Sequence, residues 1–375
     1  MSGILPTPGP GGRPPYVFVS GEPVTPQGGV NSVILGLMDA MRDRYTPRIL
    51  ITGWERPPAG QVWRKMPGLR PTLRGTISYF AYLLWNLPRL APLVRGSVAV
   101  NVHFPGPDAT PYVLLRRLGF FPRLILSVHG ADLTLAEQSH GLERAIYRWM
   151  FQHADTIIAC SSALGQRLQR FEPGLRVAAV LNACQQPPTD LRPRPLANPY
   201  LVCVAGYVRK KGHDVLLRAF APIAKRRPEL HLVMLGREGP ERTAIQTQIH
   251  ELGLEARCHV LLNVPHGDVW SWVRHAECLV LPSRDEPFGI ALLEAALVNT
   301  PVVATRVGGI PEFVEDGVHA LLCDPDQPEK LAQAIQQTLD DPQARQLRVD
   351  AFHTHALGFT WDRVLADYRA TAGLP

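Results

Sequence analysis

The six cysteines of this 375-residue chain, at positions 160, 184, 203, 258, 278 and 323, form no C-x-x-C pair and no Cys/His metal spacing. That absence excludes a zinc ribbon or a disulfide scaffold. Most of the six lie in or beside apolar runs, which points to buried thiols in a reducing, cytoplasmic setting. No apolar stretch is long enough to span a bilayer; the most aromatic one, Ile77–Trp85, is followed at once by Pro88 and Arg89. Residues 1–15 hold no apolar core and read as a disordered tail rather than a signal peptide. Acidic residues are missing altogether from Arg56 to Pro107, where seven basic ones stand (Arg56, Arg64, Lys65, Arg70, Arg74, Arg89, Arg95). No nucleic-acid motif accompanies that charge, so nucleic acid is not an expected partner.

What is present is enough apolar material for two cores: 46% of the residues are hydrophobic, and the length exceeds the usual single-core limit. The net charge of +6 is uneven. Up to Ala197 there are 21 basic and 11 acidic residues, and after it 18 and 22. A basic, aromatic-containing surface that docks on anionic lipid is one reading of the first half, and a core helix with solvated arginines is the other.

Strand-like and helix-like segments alternate throughout, which predicts parallel sheets with helices on both faces. The alternation stops at 185–199, where five prolines in fifteen residues mark a linker, and restarts at Tyr200. The expected division is a tail (1–15), a first domain (16–184), the linker (185–199), a second domain (200–359) and a final helix (360–375). Two doubly wound, Rossmann-like α/β domains facing across a cleft are the architecture this pattern predicts.

The segment Pro282–Glu294 carries most of the chemistry. The run Cys278–Leu281 reads as a buried strand and Ile290–Leu297 as the helix after it, so Glu286 falls in the loop at the strand's carboxyl end and Glu294 about two turns down the helix. Ligands bind at that edge of an open α/β sheet, and the helix start offers free N–H groups and a positive dipole end. Phe288-Gly289 lets backbone approach a ligand closely, and the amides of Phe288, Gly289 and Ile290 would face it. Upstream, Gly206 to Asp214 places Arg209, Lys210 and Lys211 in a glycine turn that leads into a helix, an anion site by charge and by dipole.

Together these segments resemble the GT-B glycosyltransferases, specifically the large retaining family 4, strongly from Tyr200 to Leu339 and more weakly before it. The resemblance implies transfer of a sugar from a nucleoside-diphosphate sugar to a hydroxyl acceptor, with no cofactor beyond that donor and no metal ligand. It gives Lys211, and Arg209 less directly, the leaving diphosphate, because this copy of the basic motif is one residue shorter than the usual one. Glu286 would bind donor-sugar hydroxyls, Glu294 the ribose, and the turn at Gly236 would pass near the nucleotide. In the first half, Gly28-Gly29 resembles the family's glycine-rich loop, without the lysine that starch and glycogen synthases carry before it. Ser127–Asp132 resembles its His-Gly-x-Asp turn, with His129 on the donor sugar. The acceptor would be a glycan or lipid-linked glycan, in envelope or exopolysaccharide assembly at a membrane face. A nucleotide-sugar epimerase of the same fold and a non-catalytic nucleotide or glycan binder are the competing readings. Asp324-Pro325-Asp326, which spells a metal-binding D-x-D, is expected instead to cap the following helix.

Overall fold

The computed structural model describes residues 12–25, 28–52, 60–63 and 76–375. Five of the seven basic residues between Arg56 and Pro107 (Arg56, Arg64, Lys65, Arg70 and Arg74) lie outside them.

The chain divides into two compact units, one formed by residues 1–182 together with 361–375 and the other by 183–360. In the first unit the elements run β1 (Pro15–Ser20), α1 (Gly29–Ala40), β2 (Thr46–Ile51), β3 (Val62–Trp63), α2 (Thr76–Val94), β4 (Ala99–His103) and α3 (Thr110–Arg117). They continue with β5 (Leu124–Val128), α4 (Ala131–Gln138), α5 (Gly141–Gln152), β6 (Thr156–Ala159), α6 (Ser162–Phe171) and β7 (Val177–Ala179). The seven strands form one parallel sheet in the order β3-β2-β1-β4-β5-β6-β7.

The second unit runs β8 (Tyr200–Val204), α7 (His213–Arg226), β9 (His231–Gly236), α8 (Arg242–Glu251), β10 (Cys258–Leu262) and α9 (His266–Arg274). Then come β11 (Cys278–Leu281), α10 (Ile290–Leu297), β12 (Val302–Thr305), β13 (Leu321–Cys323), α11 (Pro328–Asp340) and α12 (Pro342–Ala356). Its sheet is parallel, ordered β10-β9-β8-β11-β12-β13. Central strands buried on both faces read as unbroken apolar runs, and β8, β11 and β12 do so, as YLVCV, CLVL and VVAT.

Helix α13 (Trp361–Ala372) closes the chain within the first unit, against α1. The contact needs a glycine: a Cβ on Gly36 would lie 2.0 Å from the Trp361 ring. Deeper in, the Tyr368 hydroxyl meets Ser127 Oγ at 3.2 Å, and Ser127 donates to Asn101 Oδ1 at 2.9 Å. All six cysteines are buried and form no disulfide with one another.

Candidate active site

Each sheet reverses its winding once, between β1 and β4 in the first unit and between β8 and β11 in the second. At such a point the loops leaving two neighbouring strands diverge to opposite faces and leave a crevice beyond the strand ends. In the second unit those two loops carry Lys211 and Glu286. They lie 75 residues apart in sequence, yet Lys211 Nζ donates to Glu286 Oε2 at 2.6 Å. Ser283 Oγ donates to the same oxygen at 3.2 Å, and Glu286 is 7% exposed. The carboxylate is therefore held by one cation and one hydroxyl, close to the start of α10.

Backbone contacts make this meeting possible. Gly212 has φ 67°, and a Cβ there would lie 2.0 Å from the carbonyl oxygen of Pro282. Gly308, φ 55°, stands likewise against the Glu286 carbonyl, which accepts from Gly309 N–H at 3.0 Å. The two loops and the turn after β12 thus touch backbone to backbone, and only glycine fits. Arg284 ties them further. Its guanidinium donates to both oxygens of Asp214 (2.7 and 2.8 Å), to the Arg209 carbonyl (2.8 Å) and to Asp326 (2.6 Å). Its backbone N–H donates to the Lys210 carbonyl at 2.7 Å. Arg284 stands within the motif quoted from the sequence, but its spacing to Asp214 is not visible in a linear reading.

Gly289 caps α10 with φ 103°, and no side chain satisfies the first turn there. The helix start consequently presents free N–H groups beside Glu286. Phe288 packs its ring into the core on Phe313, centroids 4.5 Å apart, so only its backbone is placed for a ligand. Glu294 is buried in the second turn, and its Oε1 lies 3.0 Å from His266 Nε2. The hydrogen bond to Glu294 raises the pKa of His266, against the opposing effect of burial. His266 follows Val264-Pro265 as the first residue of α9 and was invisible as a partner, because the pairing crosses 28 residues.

If a ribose engages Glu294, protonated His266 competes for the same carboxylate. Nucleotide affinity should then weaken as pH falls through the raised His266 pKa, and His266→Gln should flatten that dependence. Calorimetric titration from pH 6 to 8.5 reads it directly; equal slopes for the two proteins would remove the competition.

Other expected residues fall where the chain is already engaged. Arg209 lies in a 3-10 turn (Arg209–Lys211) with its side chain exposed, while its carbonyl is taken by Arg284. Gly236 ends β9, and a Cβ there would lie 2.2 Å from the Ala205 carbonyl, so strand packing already demands a glycine. The D-x-D carboxylates do not cap α11. Asp324 pairs with Arg306 and Asp326 with Arg284, and the cap position Gln327 makes no side-chain bond. Capping fails because the arginines offer charge-assisted partners. No cluster of three or more His, Cys, Asp or Glu that could hold a metal occurs among the described residues.

In the first unit, Gly28 caps α1 with φ 91° and Gly29 opens it, at the carboxyl edge of β1. His129 follows β5 at the same edge. Asp132 builds its turn, accepting from the N–H groups of His129 (2.9 Å), Gly130 (2.7 Å) and Leu133 (2.9 Å). Burial lifts the Asp132 pKa to about 6 against those amides. His129 Nε2 lies 3.0 Å from Nδ1 of His103, the last residue of β4, with the rings stacked. Burial lowers the His129 pKa to about 4, so it is a neutral imidazole at pH 7. His103 is buried, and its Nε2 has no hydrogen-bond partner among the described residues. A histidine ending an apolar strand gives no sequence signal for this role.

His213, buried behind Lys211, makes the fold acid-sensitive. Burial, then the Lys211 charge, lowers its pKa from 6.5 to about 4. The unfolded chain takes up that proton first, so the contribution is whole above pH 6.5 and lost as pH falls toward 4. For one buried histidine the loss is on the order of 3 kcal/mol. Urea unfolding at pH 7.5 and 4.5 should show it, and His213→Gln should narrow the gap between the two.

Two parallel, doubly wound units, one with a cation–carboxylate pair and an uncapped helix start at its switch point, define a two-domain α/β protein of GT-B type. Two family models match, Glycosyl transferases group 1 over residues 192–351 and Glycosyltransferase Family 4 over residues 27–183. A D-inositol 3-phosphate glycosyltransferase of Corynebacterium jeikeium is 33% identical over 381 residues, covering 89% of this chain and 88% of that protein. The chain belongs to the group 1, family 4-like glycosyltransferases. It spans only about half of some relatives it matches: 55% of D-inositol 3-phosphate glycosyltransferase 1 of Catenulispora acidiphila, at 34% identity over 58% of this chain. Sucrose-phosphate synthase from Thermosynechococcus elongatus superposes with TM-score 0.78 at 20% identity, over 96% of this chain and 98% of that one. HepE from Anabaena, in complex with UDP and glucose, gives 0.76 at 19% identity, over 96% and 100%. At these identities the two structures speak for the fold.

Proposed function

We propose that the protein transfers a sugar from a nucleoside-diphosphate sugar to a hydroxyl acceptor with retention at the anomeric carbon. The observation that carries this reading is the Lys211–Glu286 pair at the switch point, beside the uncapped start of α10. Lys211 is the cation nearest that carboxylate. When a diphosphate enters, Lys211 turns to it and Glu286 is released to accept from sugar hydroxyls. The bond from C1 to the diphosphate oxygen breaks, the acceptor oxygen bonds to C1 on the same face, and its proton passes to the leaving phosphate oxygen. Lys211, the exposed Arg209 and the α10 N–H groups meet the charge that develops, which is where fixed dipoles are most effective. A double displacement would need a second carboxylate about 5 Å away; the partners of Glu286, a lysine and a serine, favour the single-face route. Glu294 takes the ribose.

The UDP held by HepE makes UDP-sugars the first donors to try. The basic first half supports an acceptor at a membrane face, a lipid-linked glycan of envelope or exopolysaccharide assembly. The test is product analysis with radiolabelled UDP-, GDP- and ADP-sugars and bacterial membranes. Free nucleoside diphosphate and an α-glycoside from an α-donor are expected. Isomerised nucleotide-sugar without free diphosphate would make the protein an epimerase instead, and binding with no turnover would make it a binder.

A further inference from the structure

Helix α2 is apolar on two opposite faces, and only one is covered. Tyr79, Tyr82, Leu83, Asn86, Leu90 and Val94 are buried against the first unit, with the Tyr79 hydroxyl donating to Thr110 Oγ1 at 2.6 Å. On the other side Phe80 is 56% exposed, Leu84 74% and Trp85 59%, and Pro88 and Pro92 continue the same exposed face. A soluble helix ordinarily turns charge toward water, and contiguous exposed apolar groups mark an interaction surface.

We propose that this face docks the protein on an anionic lipid surface. Charge selects that occupant. The exposed ionic groups on and just after the helix are Arg89 and Arg95, both positive, and no acid occurs between Arg56 and Pro107. The Arg89 guanidinium lies over the Trp85 ring, 3.8 Å from its centroid, and donates to the Trp85 carbonyl. An arginine stacked on an exposed tryptophan beside leucine and phenylalanine suits the interfacial zone, where rings enter the acyl boundary and the cation meets phosphate. No helix among the described residues is long and apolar enough to cross a membrane, so the helix lies in the interface plane. The proline positions agree with that depth: Pro88 leaves the Leu84 carbonyl without its helical N–H, and Pro92 does the same for Pro88. Those carbonyls stay among headgroups and water.

The inference is independent of the donor site, and its test involves no sugar transfer. The full chain is floated with phosphatidylcholine vesicles, alone or carrying about 30 mol% phosphatidylglycerol. Flotation with the anionic vesicles is expected, weakening as salt rises from about 0.05 to about 0.5 M. The triple variant Phe80→Ser, Leu84→Ser, Trp85→Ser should partition roughly tenfold less or worse, and Arg89→Gln with Arg95→Gln should lose the preference for anionic lipid. Should the triple variant fold poorly, Trp85→Phe keeps the test open: brominated lipid should quench wild-type fluorescence more than that of the variant. Absence of wild-type flotation, undiminished flotation of a folded triple variant, or equal quenching in Trp85→Phe each overturns the proposal. So does a concentration-dependent dimer that the triple variant abolishes while flotation is unchanged; the face would then bind a second copy.

Discussion

Lys211→Ala is expected to lower kcat for sugar transfer by about 10²–10³-fold, the loss typical when one preorganised donor to a developing charge is removed. The geometry says why the loss should fall on kcat. Lys211 is engaged by Glu286 in the ground state at 2.6 Å, so its release toward the diphosphate grows as negative charge accumulates there. Substrate binding, shared with Glu294 and the α10 amides, should change less. The variant also strands the Glu286 carboxylate in a site where it is only 7% exposed, so some stability should be lost with it. Glu286→Gln separates the two effects, because it removes the pair but leaves Lys211 free for phosphate. Steady-state kinetics with a thermal melt of each variant makes the check; unchanged kcat in a folded Lys211→Ala protein would remove the lysine from the mechanism.

The parts of this site legible in the sequence are those built from contiguous residues. The run CLVL followed by a glycine-bounded loop and an apolar helix reads as strand, loop and helix because burial on both faces leaves no alternation to misread. The position of Glu286 at the carboxyl edge follows from that alone. What a linear reading cannot see is pairing across the sheet. His266 reaching Glu294, His103 reaching His129, and Arg284 joining Asp214 to Asp326 each depend on strand order. The need for glycine at 308 is of the same kind, since it comes from the Glu286 carbonyl across the sheet.

Elements with weak periodicity leave no mark in the sequence pattern. Helix α12, Pro342–Ala356, buries only Arg348, Val349, Phe352 and Ala356 and carries polar residues over most of its surface. Its propensity is ordinary, so no apolar stripe marked it. Helix α4 is eight residues long and starts on a turn that Asp132 builds through backbone amides. The sequence showed the His-Gly-x-Asp turn but not the helix. The D-x-D motif shows the opposite error, in which a local rule suggested capping and two distant arginines took both carboxylates.

Gly212→Ala should damage the protein more than the same substitution at a left-handed glycine with open space around it. Two effects add at this position. The residue sits at φ 67°, left-handed space that costs an L-residue about 1–2 kcal/mol. A Cβ would also lie 2.0 Å from the Pro282 oxygen, a backbone atom that cannot swing away like a side chain. Gly253 provides the control, with φ 65° and nothing within 4 Å of its would-be Cβ. Gly253→Ala should therefore show the conformational cost alone, about 1–2 kcal/mol, while Gly212→Ala adds overpacking of about 1–3 kcal/mol. Relief of the clash separates the β8 and β11 loops, and with them Lys211 from Glu286. Transfer activity should consequently fall in Gly212→Ala even where the protein stays folded, and remain near wild type in Gly253→Ala. Denaturant midpoints and turnover measured on the pair test both halves. Equal stabilities would mean that the loops yield without strain. Full activity in a destabilised Gly212→Ala protein would mean that the Lys211–Glu286 contact is not what the reaction requires.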